Sequence, residues 1–232
     1  MNRLQRVARV QLTNWAQLLT WPVMILSISF LFNLAFFASM GDNMAAENRA
    51  TGGIVSIYIM QIIMCSLALS QVFSFAVGLN VTRRTFYLAQ SLVVICQSLL
   101  YGVLLYVLDV VEQLTNGWGI HMTYFSLGTA VDGYSPLSIV IYTVPMVLCS
   151  YVGLFYGVIS KRWGNAGVIW ASVLAGVVLG TTVVLVTLSD AWPSVGSWLQ
   201  GQNGLVLAAG WTLLPLVALA GGGYALLRRA IP

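Results

Sequence analysis

Charge is what this sequence has least of. Asp, Glu, Lys and Arg make up 7 % of the 232 residues, against roughly a quarter in an ordinary soluble domain. A water-facing surface cannot be built from so few, which excludes a soluble globular fold. Imidazole is scarcer still. His121 stands alone, with no carboxylate-rich neighbourhood to orient it, so a hydrolytic site has no base to work with. Cys65, Cys96 and Cys149 are odd in number, lie apart in apolar runs and lack zinc or disulfide spacing, and they read as small buried hydrophobes. With six scattered carboxylates, they offer no ligand-spaced cluster for a metal. No G-x-x-x-x-G-K-[ST] stretch occurs, so the chain has no P-loop of its own. The formal charge of +4 is strewn between apolar runs rather than gathered on one face, and nucleic acid is not an expected partner.

What the chain has instead is oil. Hydrophobic residues make up 59 % of it, and the mean hydropathy is +0.89. A hydrocarbon core about 30 Å thick takes roughly 20 helical residues per crossing. Apolar windows predict spans at about 18–39, 54–77, 87–109, 136–159, 166–188 and 204–227. The runs are continuously apolar, without the alternation of barrel strands, so they are helices. The expected fold class is an all-α integral membrane protein of six transmembrane helices. It forms a single transmembrane domain over 1–232, divided into an amphipathic interfacial helix (1–17), a six-helix bundle (18–227) and a short tail (228–232).

The few charges sort by side. Arg3, Arg6 and Arg9 precede the first span, Arg83 and Arg84 join the second to the third, Lys161 and Arg162 join the fourth to the fifth, and Arg228 and Arg229 follow the sixth. The opposite side receives Asp42, Glu47, Asp109, Glu112, Asp132 and Asp190, with Arg49 and His121. The positive-inside rule then places both termini in the cytoplasm. In the leading segment Leu4, Val7, Ala8, Leu12 and Trp15 share one side of a helical wheel and the arginines the other, as in a helix lying on the inner surface. Its apolar run is longer than a signal peptide's and no cleavage site follows, so it is expected to be retained. The connection at about 110–135 is long and holds Asn-Gly and Asp-Gly turns, and is expected to fold over the outer mouth. That between the last two spans carries Trp192 and Trp198, suited to the interface level.

Polar residues inside spans turn toward other helices or water, because lipid offers an amide no partner. Asn33, Gln61, Gln71, Gln90 and Gln97 are of this kind. Gln90, Gln97, Tyr101 and Asp109 fall roughly on one face of the third span and are candidates for lining a translocation path. Ordinary interhelical hydrogen bonding is the alternative for each taken singly. Gly153 with Gly157 and Gly176 with Gly180 form G-x-x-x-G pairs that permit close helix approach.

Sidedness alone would be met by any two cations, yet the inner loop Gly78-Leu79-Asn80-Val81-Thr82-Arg83-Arg84-Thr85-Phe86-Tyr87 is longer than a minimal turn. Thr82 is placed to cap a short helix starting at Arg83. Here the sequence resembles the permease subunits of type-two family ABC exporters, in which a glycine, a small polar residue, a basic pair and an aromatic stand between the second and third of six spans. The basic amphipathic helix before the first span and the tryptophan-bearing segment between the fifth and sixth extend the resemblance over the whole topology. It implies a half-transporter that pairs with a second six-helix subunit, identical or related, each engaging a separate cytoplasmic P-loop ATPase that binds ATP and Mg. The chain itself would hold no cofactor and be no enzyme. Thr82, Arg83, Arg84, Thr85 and Phe86 would form the coupling helix, Lys161 and Arg162 a secondary contact, and the site would be a cell membrane, bacterial inner or plasma. The chain lacks the extended outer domain of larger members, which sets it apart from glycan-scale or macrolide-scale export. A stand-alone secondary transporter or channel, and a non-transporting scaffold or accessory subunit, are the competing expectations.

Overall fold

The computed structural model describes residues 15–40, 49–78, 82–126, 138–202 and 206–228. These are helical almost throughout: α1 (Trp15–Met40), α2 (Val55–Gly78), α3 (Arg83–Leu114), α4 (Ser138–Leu188), α5 (Trp192–Gln200) and α6 (Thr212–Arg228), with π-type turns at Gly117–His121 and Val206–Trp211. Among the described residues no strand forms, and one isolated bridge pairs Ala50 with Thr123. α1 to α4 are each long and apolar enough to cross a membrane, so this is a membrane protein. α6 has 17 residues, about 26 Å at 1.5 Å per residue, and is the short one.

The expected spans 18–39 and 87–109 fall inside α1 and α3, 54–77 matches α2 to within a residue, 136–159 and 166–188 both fall on α4, and 204–227 overlaps the turn at Val206–Trp211 and α6; three features differ from expectation. α3 runs 32 residues, about 48 Å, and takes in both the dibasic residues and Glu112. The short surface helix expected between the second and third spans is therefore the first turn of α3. The fourth and fifth spans are joined without a loop: helical hydrogen bonding passes through Lys161 and Arg162, and the break is one residue. Gly164 has φ +67° and ψ −161°, a region open essentially to glycine alone. It divides α4 into limbs over 138–163 and 165–188. The connection between the last two spans contains α5, nine residues long with Pro193 near its start. The leading segment at 1–14 and the far part of the 110–135 connection, from 127 to 137, lie outside the described residues.

The first limb of α4 is the centre of the bundle, packed against α2, α3 and α6, while α1 packs on α2. Its approach to α2 is close because Gly153 and Gly157 face that helix, where a Cβ would meet the carbonyls of Ile62 and Ser66. α2 answers with a narrow stripe at four-residue steps, Ile57, Gln61, Cys65, Leu69 and Phe73, all buried. α3 buries one long stripe at steps of three and four: Phe86, Gln90, Val94, Gln97, Tyr101, Leu105, Asp109 and Glu112. Two apolar clusters result. One, around Phe73, Phe86, Leu154, Val158 and Leu227, lies at the Arg83 end of the bundle. The other, around Ile57, Tyr101, Leu105, Met122, Tyr124, Phe125 and Tyr142, lies at the Glu112 end.

The second limb of α4 is different. Every residue from 172 to 185 is exposed, so among the described residues no helix covers this stretch. Gly176 and Gly180 have open space where a Cβ would stand.

Candidate functional site

Chemistry-bearing side chains gather at three levels along α3. At its start Thr82 has extended backbone (φ −69°, ψ 144°), and its hydroxyl accepts from the Thr85 amide at 3.3 Å, the N-cap that the sequence predicts. The Thr82 and Thr85 hydroxyls are 2.7 Å apart. Two arginines then occupy the first turn, where the helix dipole disfavours cations by about 0.3–1 kcal/mol each. Helix stability thus gives no reason for them. Arg84 and Thr82 are exposed and Arg83 and Thr85 are half-buried. Phe86 is not a surface residue at all: it is 1 % exposed and meets Phe73 edge-on at 5.4 Å. Tyr87 donates from its hydroxyl to the Ala220 carbonyl at 2.8 Å, tying this turn to α6. The expected coupling set therefore divides into a polar part, Thr82 to Thr85, exposed at Thr82 and Arg84, and an anchor, Phe86. Lys161 and Arg162 lie at the same end of the bundle, next to the cluster that Val158 shares with Phe86. The Arg162 guanidinium rests over the Trp163 ring at 4.6 Å.

At mid-helix a polar ladder is enclosed. Gln61 donates from Nε2 to Ser150 Oγ at 2.9 Å, and its Oε1 accepts from Gln97 Nε2 at 3.3 Å. Ser98 and Ser150 face each other at 3.2 Å, and Ser150 donates back to the Met146 carbonyl at 2.8 Å. Tyr101 reaches the Leu19 carbonyl at 3.3 Å. The ladder thus links α1, α2, α3 and α4 through groups that lipid could not satisfy. Gln90, Gln97, Tyr101 and Asp109 are all buried and share the inward face of α3; within this one chain they look at neighbouring helices. Asn33 accepts from Thr51 Oγ1 at 2.9 Å. Gln71 alone of the intramembrane amides is exposed. Ser98 and Ser150 were not singled out in the sequence, because a serine in an apolar run gives no sign of which helix it will meet.

At the far end one carboxylate organises the connection that follows α3. Glu112 is 3 % exposed. Its Oε2 accepts from the amides of Tyr124 at 3.0 Å and Phe125 at 2.9 Å, and from the Trp118 indole at 3.2 Å. Its Oε1 accepts from the Ser126 amide at 3.2 Å. Asp109, one turn earlier, accepts from Gln113 at 3.1 Å. The Tyr142 hydroxyl donates to the Phe125 carbonyl at 3.1 Å. Arg49 donates to the Ile120 carbonyl at 2.7 Å, which gives the one basic residue on the acidic side a local role. The stretch 49–51 pairs with Thr123 through Thr51 N–H to Thr123 O and Thr123 N–H to Arg49 O, both 3.0 Å. Phe30, Trp118, Tyr124 and Phe125 pack as one aromatic group. His121, at φ +55°, is exposed. The signal that would have found Glu112 is its register, three residues beyond Asp109 on the Gln97–Tyr101–Asp109 stripe.

Among the described residues no three His, Cys, Asp or Glu side chains come together as metal ligands. No family model matches the chain, and neither does any curated protein or solved structure.

Proposed function

We propose that the chain is the membrane-spanning half of an ATP-driven exporter of the ABC type, with six crossings, both termini cytoplasmic, and a bacterial inner or plasma membrane as its site. The two limbs of α4 count as separate crossings and α6 as the sixth. It pairs with a second such half and takes its energy from separate ATPase subunits that dock at the Arg83 end.

The observation that carries this reading is the arginine pair in the first turn of α3. Two cations stand where the helix dipole opposes them, on a rod that continues without interruption to Glu112. A partner that pushes on the exposed polar turn moves the whole buried stripe, because Phe86 and Tyr87 lock the turn to α2 and α6. Arg162, exposed at the same end, adds a second basic contact. The bare second limb of α4 supports the pairing of halves, since an apolar helix that the described residues leave uncovered over 172–185 has room for lipid and a second subunit. A conformational change of the partner does work here only if it contacts the turn differently in its two nucleotide states.

The test is purification from native membranes in mild detergent. MgATP hydrolysis should accompany the parent chain and fall at least tenfold when Arg83 and Arg84 are both replaced by glutamate. Equal hydrolysis with both forms, or movement of cargo by the purified chain without any ATPase, would remove the docking role and favour a stand-alone transporter.

A further inference from the structure

Residues 116–126 combine backbone strain with a clasp on one carboxylate. Asn116, Gly117, Trp118, Gly119 and His121 all have φ between +50° and +77°. For the three that are not glycine this conformation is strained. Such a sequence of left-handed residues persists only when something outside it holds it in place. Trp118 and Tyr124 to Ser126 are held through Glu112. Thr123 is held by the 49–51 backbone and Ile120 by Arg49, while Tyr124 reaches Ser29 at 2.9 Å. The Glu112 contact differs from the rest in its consequence. Without it three consecutive backbone N–H groups, two of them on fully buried residues, lose their acceptor together.

We propose that residues 117–126 are a lid over the outer end of the bundle, latched by the Glu112 carboxylate. The lid opens as one unit when α3 shifts relative to α1 and α4. Glu112 rides on α3, as does the start of the lid, where the Trp118 and Gly119 amides donate to Thr115; the attachments of its far part, besides Glu112, are to α1 (Ser29, Phe30), to the segment 49–51 and to α4 (Tyr142). A displacement of α3 by a fraction of a helical turn therefore pulls the Glu112 clasp on Tyr124 to Ser126 against those attachments. That the lid faces the outside, and that its release is the outward step of export, rests on the function proposed above; the latch itself does not.

Hydrogen exchange read by mass spectrometry on the full chain in lipid nanodiscs tests it. In the parent, the amides of 122–126 should be protected. Glu112→Gln, which turns an NH2 group toward backbone donors, should speed their exchange roughly tenfold or more, leaving peptides from 55–78 and 138–163 unchanged. No change at 122–126, or equal acceleration throughout the chain, overturns the latch. Should that variant fail to fold, Ala50→Cys with Thr123→Cys carries the test, since these two residues pair across the isolated bridge. Oxidation should slow exchange over 122–126 at least tenfold; an unchanged rate means the segment does not open as a unit and overturns the proposal. The side is read separately with Met122→Cys in the Glu112→Gln background and a membrane-impermeant maleimide on intact cells. Labelling from outside supports the outward lid. Labelling only after the inner face is opened overturns the topology behind export while the exchange result stands.

Discussion

The two limbs of α4 have similar lengths and similarly apolar sequences, yet one is the most enclosed element of the bundle and the other is bare. The first limb carries Tyr142, Ser150, Gly153 and Gly157, each facing a specific neighbour. The second carries Val, Leu, Gly and Thr without a single long-range hydrogen bond among those described; Thr182 and Thr187 donate to carbonyls four residues back, and Thr187 also accepts from the nearby Trp192 indole. Hydropathy does not tell these limbs apart. What separates them is whether small and polar groups recur in register with a partner's, since within a membrane apolar surface alone gives helices no reason to associate.

The strongest way to break this comparison is to put the same substitution on both limbs. Gly153→Val forces a side chain against the Ile62 carbonyl and Cys65 on α2, and overpacking of this kind costs about 1–3 kcal/mol or prevents folding. Gly180→Val enters open space and should change the stability of the single chain by less than about 0.5 kcal/mol. Thermal unfolding of both variants in detergent checks the contrast, and equal losses would mean the second limb is packed after all. Gly164→Ala comes next. It places a Cβ in a backbone region that L-residues avoid, at a cost of about 1–3 kcal/mol, although no neighbouring atom lies where that Cβ would go. Removing the joint should alter the angle between the limbs, read as a distance change between spin labels on 150 and 180.

A smaller effect is expected in the ladder. Gln61→Leu strands Ser150 and Gln97 and should lower stability by about 0.6–1.7 kcal/mol, the range found for interhelical hydrogen bonds in membranes. Thr182→Val, which removes only a bond within its own helix, should be close to neutral in the same melting assay.

The positions of the apolar helices were legible because a bilayer crossing demands one composition over a fixed length, and that demand is local. The continuation of α3 from Asp109 to Leu114 was not, because Glu112 looks like a loop residue until its partner, the Trp118–Ser126 segment, is known. The connection between α2 and α3 was half legible: Thr82 caps as its residue type predicts, but nothing local to Phe86 signals that it turns inward to Phe73. Lys161 and Arg162 read as a loop because charge usually ends a span. The helix instead passes through them and breaks at Gly164, where only the backbone conformation marks the change. The ladder was legible as a set of amides and illegible as a network, since Ser98 and Ser150 join Gln61 and Gln97 across separations of up to 89 residues.

The smallest effect on stability bears most directly on function. Replacing Arg84, the exposed member of the pair, with glutamate puts an anion where the dipole of α3 favours it, so the purified chain should become slightly more stable, by about 0.3–1 kcal/mol at low salt, while the co-purifying ATP hydrolysis falls. A fold element and a docking element give opposite signs here. Were Arg84 part of the packing, as Phe86 is, both stability and hydrolysis would fall together. An Arg84→Gln variant separates charge from dipole: stability should lie between the other two forms, and hydrolysis should fall nearly as far as with glutamate if the partner's contact is to the cation itself. Melting curves at low and high salt complete the argument, because the dipole contribution should shrink as salt screens it, whereas the buried contacts of the first α4 limb should not respond.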